Sequence, residues 1–334
     1  MNEFLIVGHG LAGAVLAHQL LDRGQKVVVM EADLPHSASR VSVGLVNPLI
    51  GPKLNPPEKI QECLAINDSF YKHYAKTWGK SFYKAITLHR IFISKKQQSN
   101  WRIKEKDSIA GLYTGKFLSS LDWAKKGLHA PHGSGITKSA YQLDVSSFLQ
   151  ASREKLQSVD AWESSSFSDR SGIKKMGVVF CEGFRVIENP LFKHLPFAPA
   201  RGEVLRIQSK LDDSLSNGAW HLPCNGEEAL VGSTWDHQEL MCGPTEIGKS
   251  EIFQSCNYYD ISRQPLLEHI SGVRSGTKDR NPIMGLHPKL PNRYLFNGFG
   301  SRGTSTIPYY SCKMADFLIN QKTIPEAVNL SRFK

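Results

Sequence analysis

The sequence predicts an α/β fold: a Rossmann-like nucleotide-binding domain interrupted by a second, α+β domain built on a mixed or antiparallel sheet. Three observations carry this. The first 31 residues read as apolar run, glycine turn, helix, apolar run and acid. From about Lys84 to Tyr141, and again beyond Gly202, the pattern changes to short alternating stretches parted by Gly/Ser turns. The last forty residues return to strand, loop and helix.

The elements follow in order. Phe4 to Val7 is a continuous apolar run, as a parallel strand buried on both faces requires. "LAGAVLAHQLLDRG" has helical character, with Gly24 as its stop. "KVVVM" is a second buried strand ending at Glu31, which completes one βαβ unit. "PPEKIQECLAINDSFYKHYAKTWG" reads as a helix opened by prolines and closed by Gly79, with Ile60, Leu64, Tyr71, Tyr74 and Trp78 on one face. "AITLHRIFI" and "GLYTGKFLS" read as strands. "LDVSSFLQASREKLQ" is a helix for which Ser146 is the expected cap. "GVVFCEGF" is a buried strand; "GEVLRIQ", "GAWHLP" and "EEALVGSTW" are strands of another sheet. The expected division assigns residues 1–80, 142–200 and 270–334 to the nucleotide domain, and 81–141 and 201–269 to the second.

"GHGLAG" spans Gly8, Gly10, Leu11, Ala12 and Gly13, the G-x-G-x-x-G spacing. Each glycine has its own reason. Gly8 permits the tight turn, Gly10 lets a pyrophosphate approach the backbone, and Gly13 lets the helix pack close to the strand. The helix N-terminus then offers unpaired N–H groups and a positive dipole end to phosphate. Glu31 stands eighteen residues past Gly13, where a carboxylate can accept from ribose hydroxyls. That acid disfavours a 2′-phosphate and leaves NAD and FAD open.

Composition bounds the rest. Hydrophobic residues make up 40% of 334 and charged residues 22%, a soluble globular balance. No apolar run of about 18 residues occurs, so no membrane span is expected. Glu3 sits where a secretory leader would be basic, and six scattered cysteines without a C-x-x-C pair read as reduced, mostly buried thiols. The expected setting is cytoplasmic. The net charge of +10 is concentrated between Lys84 and Ala140, with eleven Lys/Arg against three Asp/Glu. Such a region suits either a solvated face or a polyanion. No Ser-His-Asp spacing, zinc pattern or P-loop appears, so hydrolase, metal-site and kinase classes have no support.

Five further stretches occur in one family's order. "ASRVSVGLVNP" follows the second strand and resembles the flavin-covering loop of the D-amino acid oxidase-like superfamily, which includes glycine and sarcosine oxidases and the oxidase domain of a bifunctional tRNA-modifying enzyme. "PARGEVLRI", "LVGSTWD", "SGVRSGTKDRNPIMG" and "FNGFGSRGTSTIP" resemble later motifs of that family, the third with Ser275 where the family has proline. The resemblance implies a glutathione-reductase-like FAD-binding domain and FAD as cofactor. It implies oxidation of the C–N bond of an amino acid or secondary amine: hydride to flavin, imine hydrolysis, then reoxidation by oxygen or an electron carrier.

By family position Arg274 is the expected carboxylate anchor, with Arg302 beside the flavin, because a planar guanidinium pairs a carboxylate through two hydrogen bonds. Trp220 and His221 fall near a substrate-side aromatic, and His221 is carried as a further catalytic candidate. The expected cofactor contacts are the "GHGLAG" residues with Glu31, then Ser39, Arg40, Gly44, Val46, Asn47 and Gly183, and finally Gly300, Ser301, Arg302 and Gly303. Lys278 is expected to be solvated; His9, Tyr309 and Tyr310 are expected close to the cofactor or in packing. Two other readings remain. "GSRG" is nearer the tRNA-modifying relatives, so a tRNA wobble-uridine oxidase is an alternative, and a non-catalytic flavin-fold protein is another.

Overall fold

A computed structural model describes residues 3–168, 176–224 and 226–333. Its first sheet has six strands in the order Ile283–Leu286, Arg293–Asn297, Gly177–Phe180, Glu3–Val7, Lys26–Met30 and Trp162–Glu163. Glu3–Val7 is central and parallel to both neighbours, with Phe4 opposite Val27 on one side and Gly177 on the other. Alternate residues of this strand serve separate cores. Phe4 and Ile6 face one cluster with Leu16, Leu20, Tyr71, Phe148 and Met314. Leu5 and Val7 face another with Phe180, Phe192 and Leu195. Both faces are therefore buried, which is why the sequence shows an unbroken apolar run.

The first cluster is built by four helices, Leu11–Leu21, Ile60–Trp78, Val145–Ser158 and Gly303–Asn320. Gly79 ends the second of these in the left-handed region at φ +64°. Leu16 and Leu20 are fully buried, contributing about 1.5–3 kcal/mol each. The helix at 145 is capped by Asp144, whose side chain accepts from the Ser147 N–H at 3.0 Å, and not by Ser146 as the sequence suggested. An aspartate just outside the first turn also meets the positive end of the helix dipole.

The second sheet has nine strands. Its path runs Leu266–Arg274, Ala200–Gln208, Glu228–Gly232, Ala219–Pro223, Ser214–Asn217, Tyr83–Ile91, Ser134–Leu143 and Leu45–Val46, with Thr114–Leu118 added to Ser134–Leu143. Among the described residues only Ser214–Asn217 against Tyr83–Ile91 is parallel, so the sheet is mixed. The boundaries expected at 142 and 270 fall inside strands of this sheet. Four α-helices of the described residues went unread in the sequence: Lys95–Lys104, Ser120–Ala124, Glu246–Ser255 and the four-residue Ala38–Val41. The first is polar nearly all round and buries only Trp101, so it lacks an apolar stripe to signal it.

No disulfide joins cysteines of the described residues; Cys63, Cys181 and Cys256 are buried, while Cys242 is exposed. No helix of the described residues is long and apolar enough to cross a membrane.

Candidate active site

The turn after the first strand opens a cavity of about 1890 Å³, lined from both sheets. That is about twice the upper range for sites taking one drug-sized molecule, and leaves room for a dinucleotide with a small substrate. Gly8 sits at φ +99°, and a Cβ on it would lie 2.7 Å from the Cys181 carbonyl oxygen. A Cβ on Gly13 would lie 1.9 Å from the Gly8 carbonyl, so the helix rests directly on the turn. Gly10 faces the cavity and lets Ser39 approach, and Ser39 Oγ accepts from the Leu11 N–H at 3.0 Å. Gly10, Leu11 and Ala12 line the cavity, presenting the first helical turn to it.

Glu31 lines the same end. Its carboxylate accepts from the Asp33 N–H at 2.8 Å and from the His9 N–H, which holds it facing the glycine turn with lone pairs to spare. The His9 ring points away from the turn. Its Nε2 meets Ser152 Oγ at 3.0 Å, the same hydroxyl meets His18 Nε2 at 2.9 Å, and Trp162 packs edge-on against it. Burial pushes His9 down to about 3 and His18 down to about 4, so both are neutral at ordinary pH.

At the other end Asn297 ties three loops together. Its Nδ2 donates to the Gly183 carbonyl at 2.8 Å, and its Oδ1 accepts from Ser275 Oγ at 2.9 Å and from the Gly298 N–H at 2.8 Å. Ser275, standing where the family has proline, thereby gains a partner. Asn47, Gly44, Gly183, Gly300, Ser301, Arg302 and Gly303 all line the cavity. Gly44 has a further constraint, because a Cβ there would lie 1.7 Å from the Leu143 carbonyl.

Arg274 stands on the cavity wall at the end of Leu266–Arg274. Its Nη1 donates to the Thr234 carbonyl at 3.1 Å and its Nη2 to Ser233 Oγ at 2.7 Å. The guanidinium lies 4.8 Å over the Trp235 ring. Among the described residues no carboxylate comes within 4.0 Å of it. Loss of water around it lowers its pKa to about 10. The seat is made by Gly202, where a Cβ would lie 2.1 Å from Nη2 and 2.2 Å from Nη1. The register explains this: Arg274 is opposite Ala200 and Gly272 opposite Gly202, so Arg274 and Gly202 are diagonal neighbours on one face.

Four sequence candidates fall outside the cavity lining. His221 is fully buried in the larger sheet, its ring nitrogens at 3.1 Å from both Ser209 Oγ and the Asp213 carbonyl. It is a core histidine whose pKa burial lowers, and it does not line the cavity. Arg40 is exposed and pairs with Asp33 at 2.6 Å. Val46 is fully buried against Leu49 and Ile60. Gly13 acts through packing alone. Tyr309 and Tyr310 also pack outside the lining, and Lys278 is exposed at its edge. Arg302 lines the cavity and donates to the Arg280 carbonyl. The sequence reading missed Gly202, Ser233, Trp235, His237 and Asn297. The only signal for them was their place inside quoted motifs, since their roles depend on partners far along the chain.

Comparison with known proteins agrees with this geometry. The family model DAO, FAD dependent oxidoreductase, matches residues 3–316. Curated relatives include the tRNA 5-methylaminomethyl-2-thiouridine biosynthesis bifunctional protein MnmC of Marinobacter nauticus, 24% identical over 96% of this chain and 56% of that protein. The protein of the same name from Legionella pneumophila subsp. pneumophila is 25% identical over 98% of this chain and 57% of its own length. The chain thus spans a little over half the length of these relatives. Among solved structures, glycine oxidase from Bacillus cereus has a TM-score of 0.78 at 16% identity, covering 97% of this chain and 96% of that one. Iminodiacetate oxidase from a Chelativorans species has a TM-score of 0.81 at 15% identity, covering 98% and 99%.

Proposed function

For a chain that belongs to the DAO family of FAD-dependent oxidoreductases, we propose a reaction at the C–N bond of an amino acid or N-substituted amino acid, with Arg274 binding its carboxylate. One observation carries the reading: a partly buried guanidinium on the cavity wall, with no acidic partner among the described residues. A cation so placed is costly unless an anion completes it. The glycine cradle, its helix N-terminus and Glu31 fit the adenosine and pyrophosphate part of FAD; Gly44, Asn47 and the 300–303 turn fit the rest.

When bound, FAD supplies the two-electron oxidation. The protein contributes position and the exclusion of water. Arg274, fixed by Ser233, the Thr234 carbonyl and Trp235, aims the carboxylate and so the adjacent C–H bond. Trp220 walls the same cavity and keeps the reacting end dry. The imine released hydrolyses in water, and oxygen or an electron carrier serves as final acceptor. The division into a cofactor domain and a substrate domain belongs to the same proposal.

The test is anaerobic mixing of the FAD-loaded protein with glycine, sarcosine, proline and a set of D-amino acids while flavin absorbance is followed. Bleaching by a carboxylated amine is the expected result. No bleaching by any of them overturns the reading.

A second reading, oxidation of a modified wobble uridine in tRNA, draws on the low-identity relatives and the basic segment. Within that segment Arg102, Lys104 and Lys126 pair with Glu105, Asp107 and Asp213. Lys95, Lys96, Lys106, Lys116, Lys125 and Lys138 have no carboxylate within 4.0 Å among the described residues. Phosphate contacts would make tRNA affinity fall steeply with salt. Absence of tRNA binding at low salt removes this reading.

A further inference from the structure

The buried face of the helix Ile60–Trp78 carries a single amide, set among Ile60, Cys63, Leu64, Phe70, Tyr71 and Tyr74. That residue, Asn67, is fully buried. An amide in such a place is costly unless its polar atoms find partners. Its Nδ2 donates to two main-chain carbonyls of the helix Gly303–Asn320, Thr304 at 3.2 Å and Ser305 at 3.0 Å. Its Oδ1 meets no donor among the described residues. The two donated bonds are therefore what the amide is there to make.

Their reason lies four residues further along the second helix, where Pro308 stands inside it. In an unbroken ladder the N–H of residue 308 would donate to the Thr304 carbonyl, and proline has no N–H. The proline ring also crowds that carbonyl. A break of this kind kinks a helix or leaves a buried carbonyl unsatisfied. Asn67 supplies the missing donor from the neighbouring helix and holds the next carbonyl as well. The turn tethered in this way walls the cavity, since Gly303, Thr304, Ser305 and Ile307 all line it. Thr306 Oγ1 donates back to the carbonyl of cavity-lining Arg302 at 2.9 Å, which carries the tether into the 300–302 turn.

We propose that Asn67 is a positioning residue for the cofactor: by replacing the donor that Pro308 lacks, it sets where the first turn of Gly303–Asn320 stands against FAD. Asn67 itself does not line the cavity. The inference rests on the placement of FAD against the 300–303 turn given above, and it adds the residue that supports that turn. Helix packing alone would be served better by a leucine, which is close in volume and brings no orphaned acceptor.

The test compares Asn67→Leu, Pro308→Ala and the double variant, each as the full chain. Asn67→Leu keeps the volume and removes the donor, while Pro308→Ala gives the helix back its own N–H for the Thr304 carbonyl. Two quantities are read: the Kd for FAD, by flavin fluorescence, and the midpoint potential of the bound cofactor. Asn67→Leu is expected to raise Kd about tenfold or more, because a small misplacement is enough to spoil alignment. A helix start favours the electron-richer form of a bound group, so the displaced turn weakens reduced FAD more than oxidised FAD. A tenfold imbalance between the two lowers the two-electron potential by about 30 mV. Pro308→Ala alone leaves both quantities in place, and the double variant returns them toward those of the unsubstituted protein.

Melting temperature accompanies each variant. Asn67→Ser, too short to bridge both carbonyls, replaces Asn67→Leu if the latter does not fold. An unchanged Kd and potential in the folded Asn67 variant overturns the positioning role, even if its melting temperature drops. A loss that Pro308→Ala does not restore overturns it too, because Asn67 would then serve something other than the interrupted ladder. If the unsubstituted protein binds no FAD, the cofactor placement fails and this inference with it.

Discussion

Arg274 and Glu31 show how differently two charged residues of one cavity are placed. Glu31 is held by backbone N–H groups two residues away in sequence and across the glycine turn, so its position follows from local chain geometry. Arg274 is held by Ser233, Thr234 and Trp235, some forty residues earlier, and by the empty space over Gly202. Removing it as Arg274→Ala is expected to lower kcat/KM for a carboxylated amine by about 100-fold or more, mainly through KM, with FAD still bound; charge-assisted hydrogen bonds of about 1.5–3 kcal/mol each set that scale. Arg274→Lys restores only part of it, because an ammonium lacks the fork that matches a carboxylate. Steady-state kinetics with flavin absorbance as the loading control decides, and an unchanged kcat/KM removes the anchor. His221 teaches the opposite lesson. A histidine beside a tryptophan in a family-like strand looked available for chemistry, and proved to be buried with both nitrogens engaged. Sequence carries no mark of that difference, because burial is set by the strands stacked on either side.

Among the elements, the pairing of Leu266–Arg274 with Ala200–Gln208 does the decisive work for the candidate site. The antiparallel register puts Gly202 diagonally across from Arg274, and the missing side chain is the seat for the guanidinium. Gly202→Ala is expected to fold with near-normal stability, since the group it would strike is the mobile end of a side chain. The guanidinium would be displaced and substrate KM raised roughly tenfold or more, because a misplacement of about 1 Å is enough to spoil alignment. Thermal melting together with KM measures both halves. A large drop in melting temperature would show that Gly202 serves the sheet and not the anchor. The cradle element, by contrast, was legible from its letters. Strand, glycine turn, helix and second strand each satisfied a local rule, and the helix end, the buried runs and the acid fell where spacing placed them. Short polar helices such as Lys95–Lys104 were not legible, since their stability comes from what they cover and not from an apolar stripe.

At the scale of the molecule, two sheets close on one cavity, and the interior that supports it contains polar groups held neutral. His9 and His18 share the Ser152 hydroxyl and join the cradle turn, its helix and the helix Val145–Ser158. Their ordinary pKa of 6.5 applies in the unfolded chain, while in the fold they lie near 3 and 4. The unfolded state therefore binds protons that the folded state refuses. Stability is fully present above pH 6.5 and falls as pH drops from 6.5 toward 4, by on the order of 3 kcal/mol for His18 alone. Urea unfolding at a series of pH values is expected to show this slope, and His18→Gln is expected to flatten it. An unchanged slope in that variant would assign the acid sensitivity to other groups.

The sequence by itself determined the βαβ unit, the glycine cradle, the acid at Glu31 and the family. Each of these depends on residues near one another in the chain, or on motifs read in order. Only the tertiary structure decided which charges remain without a partner, which glycine makes room for Arg274, and that Trp235 lies at the cavity mouth. Those are distances between residues tens of positions apart. They are set by strand register, and a shift of one residue would turn Arg274 to the opposite face of the sheet.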